Sequence, residues 1–440
     1  MTYDKYSRRE FLGVGAAIAG ASIVGKPEGP EPLVLEEPRR RAAARASVRF
    51  GIVGVGMQGN SLLSESIRLE GVECVAACDL YDGRHTLARE IVRPDLPVTR
   101  RYQDLLSNPN VDALIVAVPD HWHRQIVVDA VNAGKDVYCE KPMSHTPADG
   151  VAMVEAARKS GRIVQVGSQR VSSVICAKAR EMIGSGLLGD LMYVEAWLGR
   201  NEPSGAWQYP PPPDLSPANL DWDTWLGKAP KIPFNPEVFA RWRAWKEYGT
   251  GVAGDLLVHL MSGFLFMSGI NKAPTQTLSV GGIRRWKDGR NTPDVHLVLY
   301  EYDGLPVNMR LNLGTAIQEG YRFHGSKGLL EVNSGSITFT PQSGKDGGPS
   351  WYSSSFPRAM RNEYQQKWRE QNALKPGMQA PVTEVVAFRG PGYDAVQPHL
   401  WNFFEAVRTR KPVVEDAVFG HHAALACHLA NESYYRRAAV

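Results

Sequence analysis

Apolar, β-branched runs alternate with helical patterns over the first third of the chain. Val48 to Val53 reads as a buried strand, and Leu62, Leu63 and Ile67 follow at helical spacing. Val72 to Cys78 is a second strand run, and Arg84 to Val92 is helical. Val111 to Val118 is apolar without alternation, as a strand buried on both faces must be. A helix from Arg124 to Ala133 stops at Gly134, and Val137 to Cys139 is strand-like. A helix over Pro147–Ser160 and a strand over Ile163–Val166 close the series. Alternation of this kind predicts a doubly wound parallel sheet over residues 47–168. Beyond 168 the period changes. A helix over 174–185 and a strand from Leu191 to Leu198 precede an irregular stretch, 199–250, with four consecutive prolines at 210–213. Period-two runs then cover Gln276–Ile283, Val295–Tyr302, Val307–Leu313, Tyr321–Gly325 and Leu329–Val332. They predict an α+β domain over 169–440 with a large, predominantly antiparallel sheet. Residues 341–395, rich in Gly, Pro, Ser and charge, read as a long insertion or arm. Helices over His399–Arg408 and His421–Arg436 place a terminal helical segment at 398–437.

The turn after the first strand carries Gly54, Gly56 and Gly59 in the order G-x-G-x-x-G, and Asp79 follows 20 residues after Gly59. Gly54 permits a tight turn, Gly56 lets backbone approach a pyrophosphate, and Gly59 lets helix and strand pack closely. Open N–H groups at the helix start favour an anion. An acid at the end of the second strand can accept bonds from ribose hydroxyls. Set between strand, helix, strand and acid, the motif predicts a Rossmann dinucleotide site. Leu80 after Asp79 favours NAD, because a 2′-phosphate would meet a carboxylate; Arg84 keeps NADP open. His121, His123, Glu140 and Lys141 all fall at the carboxyl ends of expected strands, where such sheets bind ligands.

Charge adds little. The formal charge is +4, and past residue 46 the balance is 42 Lys/Arg to 40 Asp/Glu, so neither nucleic acid nor a membrane is an expected partner. The five cysteines show no metal-ligand spacing and read as small buried residues, and no metal is expected. His399, His421, His422 and His428 also lack ligand spacing, and a solvated or capping role is expected of them. Ser7-Arg8-Arg9-Glu10-Phe11-Leu12, then an uncharged Gly/Ala-rich run to Gly25, resembles a twin-arginine export signal. Residues 1–25 are therefore read as a signal peptide and 26–46 as a flexible linker, with a periplasmic or other extracytoplasmic address.

One more pair stands out. Asp255 and His259 are four residues apart on an apolar helical run that follows Gly249-Thr-Gly-Val-Ala-Gly254. On a helix they share a face, so the acid can bond and charge-stabilise the imidazole, which suits general-base work.

G-x-G-x-x-G, Asp79, Pro119-Asp-His-Trp-His123, Glu140-Lys141-Pro142 and Asp255/His259 together resemble the Gfo/Idh/MocA oxidoreductase family from about residue 48 to the C-terminus. That resemblance implies NAD(P)-dependent hydride transfer on a sugar, cyclitol or related polyol, and the export signal adds the expectation of a tightly held cofactor, since nicotinamide nucleotides are not freely supplied outside the cytoplasm. It implies catalytic Lys141, Asp255 and His259. Met57, Gln58, Pro119, His121, His123, Glu140 and Lys141 would join the glycines and Asp79 at the cofactor, and Gln169, Arg170 and Trp245 would touch substrate. Arg170 is followed by Val171 where relatives carry consecutive basic residues. The segment Asn219 to Pro230 resembles one in sugar-related members, so its tryptophans are candidates for stacking on a pyranose as well as for core. The Lys141–Pro142 bond is a candidate cis peptide. A homo-oligomer is expected. The same residues would equally serve a glycosidase that oxidises a sugar transiently with bound NAD, and a non-catalytic sugar-binding protein could retain the fold.

Overall fold

The computed structural model describes residues 47–342, 348–372, 386–390, 392 and 395–440. The expected signal peptide and linker lie outside the described residues. The first sheet is built from β1 (Val48–Val53), β2 (Val72–Cys78), β3 (Val98–Thr99), β4 (Ala113–Val116), β5 (Asp136–Glu140) and β6 (Val164–Gly167). All pairings are parallel, in the order β3-β2-β1-β4-β5-β6. That order puts the reversal of winding between β1 and β4, where a crevice opens beyond the strand ends. The connecting helices are α1 (Met57–Ser66), α2 (Asp82–Ile91), α3 (Tyr102–Ser107), α4 (Asp120–Asn132) and α5 (Pro147–Ser160). Local chemistry sets their ends. Thr146 caps α5 by accepting from the Asp149 N–H, Pro147 opens it, and Gly161 ends it at φ +62°. The expected helix at 84–92 starts two residues earlier and the one at 124–133 four earlier, so His121 and His123 ride the first turn of α4. β3 and α3 are too short for their periodicity to show in the sequence.

The second sheet holds eight strands: β7 (Leu191–Gly199), β8 (Gln276–Gly282), β9 (Val295–Tyr302), β10 (Leu305–Asn312), β11 (Ile317–Gly325), β12 (Gly328–Asn333), β13 (Ser336–Pro341) and β14 (Val386–Arg389). Their order is β14-β13-β12-β11-β7-β10-β9-β8, antiparallel except for the central β7–β10 pair. Period two is clean in β9. His296, Val298, Tyr300 and Tyr302 face inward, while Leu297 and Leu299 face out. The inner face packs on α6 (Val174–Gly184), α9 (Val258–Ser268) and α12 (Ala417–Arg436), around Phe264, Met309, Tyr321 and Phe323.

Three features depart from the sequence reading. The irregular stretch 199–250 contains two short helices, α7 (Trp222–Leu226) and α8 (Pro236–Ala240). Their Trp222 and Trp225 stack at 4.8 Å and are buried with Tyr81, Phe239 and Tyr248, so they form a small core of their own. The 341–395 arm contributes the edge strand β14, and it carries an exposed helix, α10 (Arg358–Asn372). Finally, α11 (Val396–Thr409) returns to the first sheet. Its Leu400, Phe403 and Phe404 pack on Phe50, Leu62 and Tyr138, so the end of the chain completes the core beneath the nucleotide fold. His399 and His428 are buried and bonded, not solvated. His399 bridges Ser172 Oγ and the Val166 carbonyl, each at 2.8 Å, and His428 meets Ser144 Oγ at 3.1 Å. His421 and His422 are half-buried, with His422 bonded to Asn271. All five cysteines are free and buried. Among the described residues no helix is long and apolar enough to cross a membrane.

Candidate active site

The glycine turn is shaped by exclusion. Gly54 sits at φ +90°, and a Cβ there would lie 2.3 Å from the Ala117 carbonyl oxygen. A Cβ on Gly59 would lie 1.9 Å from the Gly54 carbonyl oxygen, so β1 and α1 can approach this closely only with glycine. Gly56 has only the mobile Arg84 side chain near its Cβ position, at 3.3 Å, and supplies no side-chain cap to α1. The first N–H groups of α1 therefore stay available to a phosphate. Asp79 is 6% exposed and fixed by backbone: Oδ2 accepts from the Val55 N–H at 2.8 Å and Oδ1 from the Tyr81 N–H at 3.0 Å. A carboxylate has about four acceptor positions, which leaves capacity for ribose hydroxyls. Arg84 lies 3.4 Å from Asp79 and 4.9 Å above the Phe239 ring. This cradle fits a dinucleotide.

A cleft runs from Gly56, Met57, Gln58 and Pro119 past Glu140 and Lys141 to Tyr209, Trp242 and Arg243. Glu140 closes β5 and is 4% exposed. Its Oε1 accepts from Gln58 Nε2 at 3.0 Å and Gln169 Nε2 at 2.7 Å, and its Oε2 from the Lys141 N–H at 3.2 Å. Burial pushes this carboxyl up, against Lys141, Gln58 and Gln169, which favour the anion. Gln169 also donates to the Tyr138 hydroxyl at 2.7 Å, so it supports Glu140 from behind and does not line the cleft. The Lys141–Pro142 bond is cis. Lys141 Nζ donates to Asp255 Oδ1 at 2.8 Å and to the Asp255 carbonyl at 2.9 Å.

Asp255 departs from the expected geometry. It lies in a π-helical turn, Ala253–Leu257, that runs into α9. Wide turns of this type often mark functional sites. The turn rests on Pro142 across Gly254, where a Cβ would stand 3.0 Å from Pro142 Cγ and 1.5 Å from Thr250 Oγ1. The Asp255 carboxylate accepts from Lys141, from Arg243 Nε at 3.1 Å and from Trp207 Nε1 at 2.9 Å, and not from His259. Trp207 holds φ +65°, a strained conformation for a bulky residue that aims its indole at the acid. Burial alone would raise the Asp255 carboxyl, but Lys141 and Arg243 outweigh it and hold the group far below the usual carboxylate range. His259 is half-buried, and its Nδ1 is enclosed without a hydrogen-bond partner. Burial, then Arg170 and Lys141, push its imidazole well below the ordinary histidine value, so the ring is neutral. The acid therefore pairs with the lysine and acts on the histidine only through its field.

The remaining expected site residues divide. Arg170 makes an ion pair with Glu319 on β11, within electrostatic reach of His259. His121 and His123 leave the cleft. His121 bonds the Tyr248 and Trp225 carbonyls, and His123 those of Pro142 and Val118, so both clamp loops around the site. Trp245 packs against the neighbouring hydrophobic clusters. Arg243, Trp207 and Tyr209 went unseen in the sequence because they come from the aperiodic stretch, and nothing local marks them.

Residues 48–168 match the Gfo/Idh/MocA family, described as an oxidoreductase family with an NAD-binding Rossmann fold. An inositol 2-dehydrogenase of Salmonella typhimurium is 34% identical over 150 residues, which are 34% of this chain and 45% of that protein. A glycosyl hydrolase family 109 protein of Shewanella baltica is 28% identical over 215 residues, 43% of this chain and 45% of that one. The chain thus spans about half the length of the curated relatives it matches. Among solved structures, levoglucosan dehydrogenase in complex with NADH and levoglucosan superposes with a TM-score of 0.63 at 17% identity, covering 90% of this chain and 99% of that one. At that identity the likeness is one of fold. Over residues 48–168 the chain is thus similar to the NAD-binding Rossmann domain of the Gfo/Idh/MocA oxidoreductase family.

Proposed function

We propose that the chain is an NAD-dependent oxidoreductase acting on a sugar, cyclitol or related polyol. One observation carries the reading: at the end of the nucleotide groove, Lys141 is locked on Asp255 beside a neutral His259. A bound nicotinamide supplies a hydride acceptor and donor there. A secondary alcohol oxidised there would give up its C–H electron pair to such an acceptor and would need a base for its hydroxyl proton. His259 is neutral and can take the proton. Lys141, held in place by Asp255, offers N–H donors to the oxygen as it gains negative character. Asp255 thus positions Lys141, and Arg243 and Trp207 position Asp255. Arg84 beside Asp79 leaves NADP as a second dinucleotide to assay.

The twin-arginine-like leader further supports an extracytoplasmic enzyme that keeps its nucleotide through the cycle, since free NAD is not expected there. The glycosyl hydrolase relative supports a second reading, a transient oxidation that releases an aglycone and is then reversed. Mature protein should be dialysed, denatured for mass spectrometry of any released nucleotide, and assayed on polyols, paired sugar and ketose substrates, and aryl glycosides. Lys141→Ala and His259→Ala should each cut turnover by about 100-fold or more while nucleotide binding survives. Wild-type rates in both variants would remove these residues from the chemistry.

A further inference from the structure

The cleft beyond Lys141 carries donors that no described residue engages. Arg243 lies over Trp242, its guanidinium carbon 4.2 Å from the ring centre, and its side chain is 18% exposed. Only its Nε is engaged, by Asp255, so among the described residues both terminal nitrogens lack a hydrogen bond. Arg200, just past the end of β7, likewise makes no ion pair or side-chain hydrogen bond among the described residues. The Tyr209 hydroxyl on the cleft wall is a third donor without a partner among the described residues. Tyr209 and Arg243 line the same cleft, and Arg200 stands within electrostatic reach of Tyr209, His259 and Glu319.

The carboxylates within reach are otherwise occupied. Asp255 takes Lys141, Arg243 and Trp207, and Glu319 takes Arg170. Asp120, which also acts on Arg243, is buried and held by the Thr250 N–H and hydroxyl. Glu202, which acts on Arg200, is exposed and accepts from the Asn201 N–H. Asp288 forms a paired fork with Arg290. A guanidinium fork stacked on an aromatic face with its ends free is complementary to an oxyanion, which takes two parallel N–H bonds. The nucleotide's phosphates have a separate seat at the glycine turn, near Arg84.

We propose that the substrate is an anionic sugar, whose carboxylate or phosphate ester docks on Arg243, Arg200 and Tyr209 while its reacting hydroxyl meets Lys141 and His259. The inference rests on the sugar-oxidoreductase reading for its reacting end only; the oxyanion seat can be tested by binding alone. NAD-loaded protein should be titrated calorimetrically with glucose, glucuronate, galacturonate, gluconate and glucose 6-phosphate, at low and high salt. At least one anionic probe should bind about ten- to a hundredfold more tightly than glucose, the range expected for hydrogen bonds between charged partners. The preference should shrink with salt and collapse in Arg200→Gln and in Tyr209→Phe; the uronate and phosphate arms identify which oxyanion is read. Equal binding of glucose and every anion, no binding by any anion, or an unchanged preference in both variants would overturn the proposal. The two readings part in the activity arm. An anion that binds tightly without NADH formation from any sugar defeats the redox reading alone, and neutral sugars oxidised without anion preference defeat this one alone.

Discussion

Asp255 answers to Lys141, 114 positions away, rather than to His259, four positions on. The reason lies in the donors around it. A carboxylate with an ammonium, a guanidinium and an indole N–H at 2.8, 3.1 and 2.9 Å gains more from those charge-assisted bonds than from a neutral imidazole. Replacing Asp255 by Asn leaves two cations facing one another without their counter-charge, and removal of one member of a buried pair costs about 3–5 kcal/mol. With the 15% exposure of the side chain, the lower end is expected, read from urea unfolding alongside a loss of turnover. His399 offers a cleaner titration. Burial pushes its pKa down to about 4, against the pull of its bond to Val166. The unfolded imidazole takes a proton below about 6.5 while the folded one does not until about 4. The stability it contributes is thus complete above pH 6.5 and lost as pH falls from 6.5 toward 4, about 2 kcal/mol of it by pH 5. His399→Gln should shrink the drop in Tm between pH 7 and pH 5; an unchanged drop would mean that His399 already carries its proton when folded.

At the scale of elements, the π-helical turn is the joint between the two halves of the site. It brings Asp255 to Lys141 because Gly254 lets it settle on Pro142 and Thr250. Thr250 in turn holds Asp120 at the start of α4, so one glycine links the turn to the nucleotide sheet. Gly254→Ala removes that seat. The added Cβ would overlap Thr250 Oγ1, and overpacking of this kind costs about 1–3 kcal/mol. Turnover should fall along with Tm, because the shift moves Asp255 off Lys141, whereas NAD affinity should hold, because the glycine turn at 54–59 is a separate element. Loss of NAD affinity in Gly254→Ala would show the two elements to be coupled.

Across the whole molecule, the outer face of the eight-stranded sheet is left uncovered by the described residues. Val280 is 60% exposed and Leu299 52%, and they lie with Leu278 and Leu297 on neighbouring strands. Exposed apolar patches of this kind mark interaction sites, and this face is where we propose that the expected homo-oligomer forms. Val280→Asp with Leu299→Asp should lower the mass seen by light scattering without lowering Tm by more than the effect of surface changes, about 0.5 kcal/mol. Export belongs to this scale too. Replacing Arg8 and Arg9 with Lys should hold the precursor in the cytoplasm, read by fractionation, whereas normal export of that variant would sink the twin-arginine reading.

What the sequence determined by itself was whatever a few neighbouring residues decide. Strand and helix alternation follows from the periods of side-chain direction, so the two sheets were legible, as was the place where the first becomes antiparallel pairing in the second. The glycine turn was legible because steric exclusion is local, and so was Asp79 at the next strand end. Glu140, Lys141, Asp255 and His259 stood out by type and position. Tertiary structure alone decided which of them meet. The parallel β7–β10 pair at the centre of the second sheet joins residues more than a hundred positions apart, and no turn signal announces it. Arg243, Trp207, Arg200 and Tyr209 lie in or beside a proline-rich stretch without periodicity, so their chemistry appears only when the chain folds them around Asp255 and His259. His121 and His123 drop out of the groove for the matching reason: carbonyls from distant loops arrive to take both of their ring nitrogens, and sequence carries no record of where a remote backbone oxygen will come to rest.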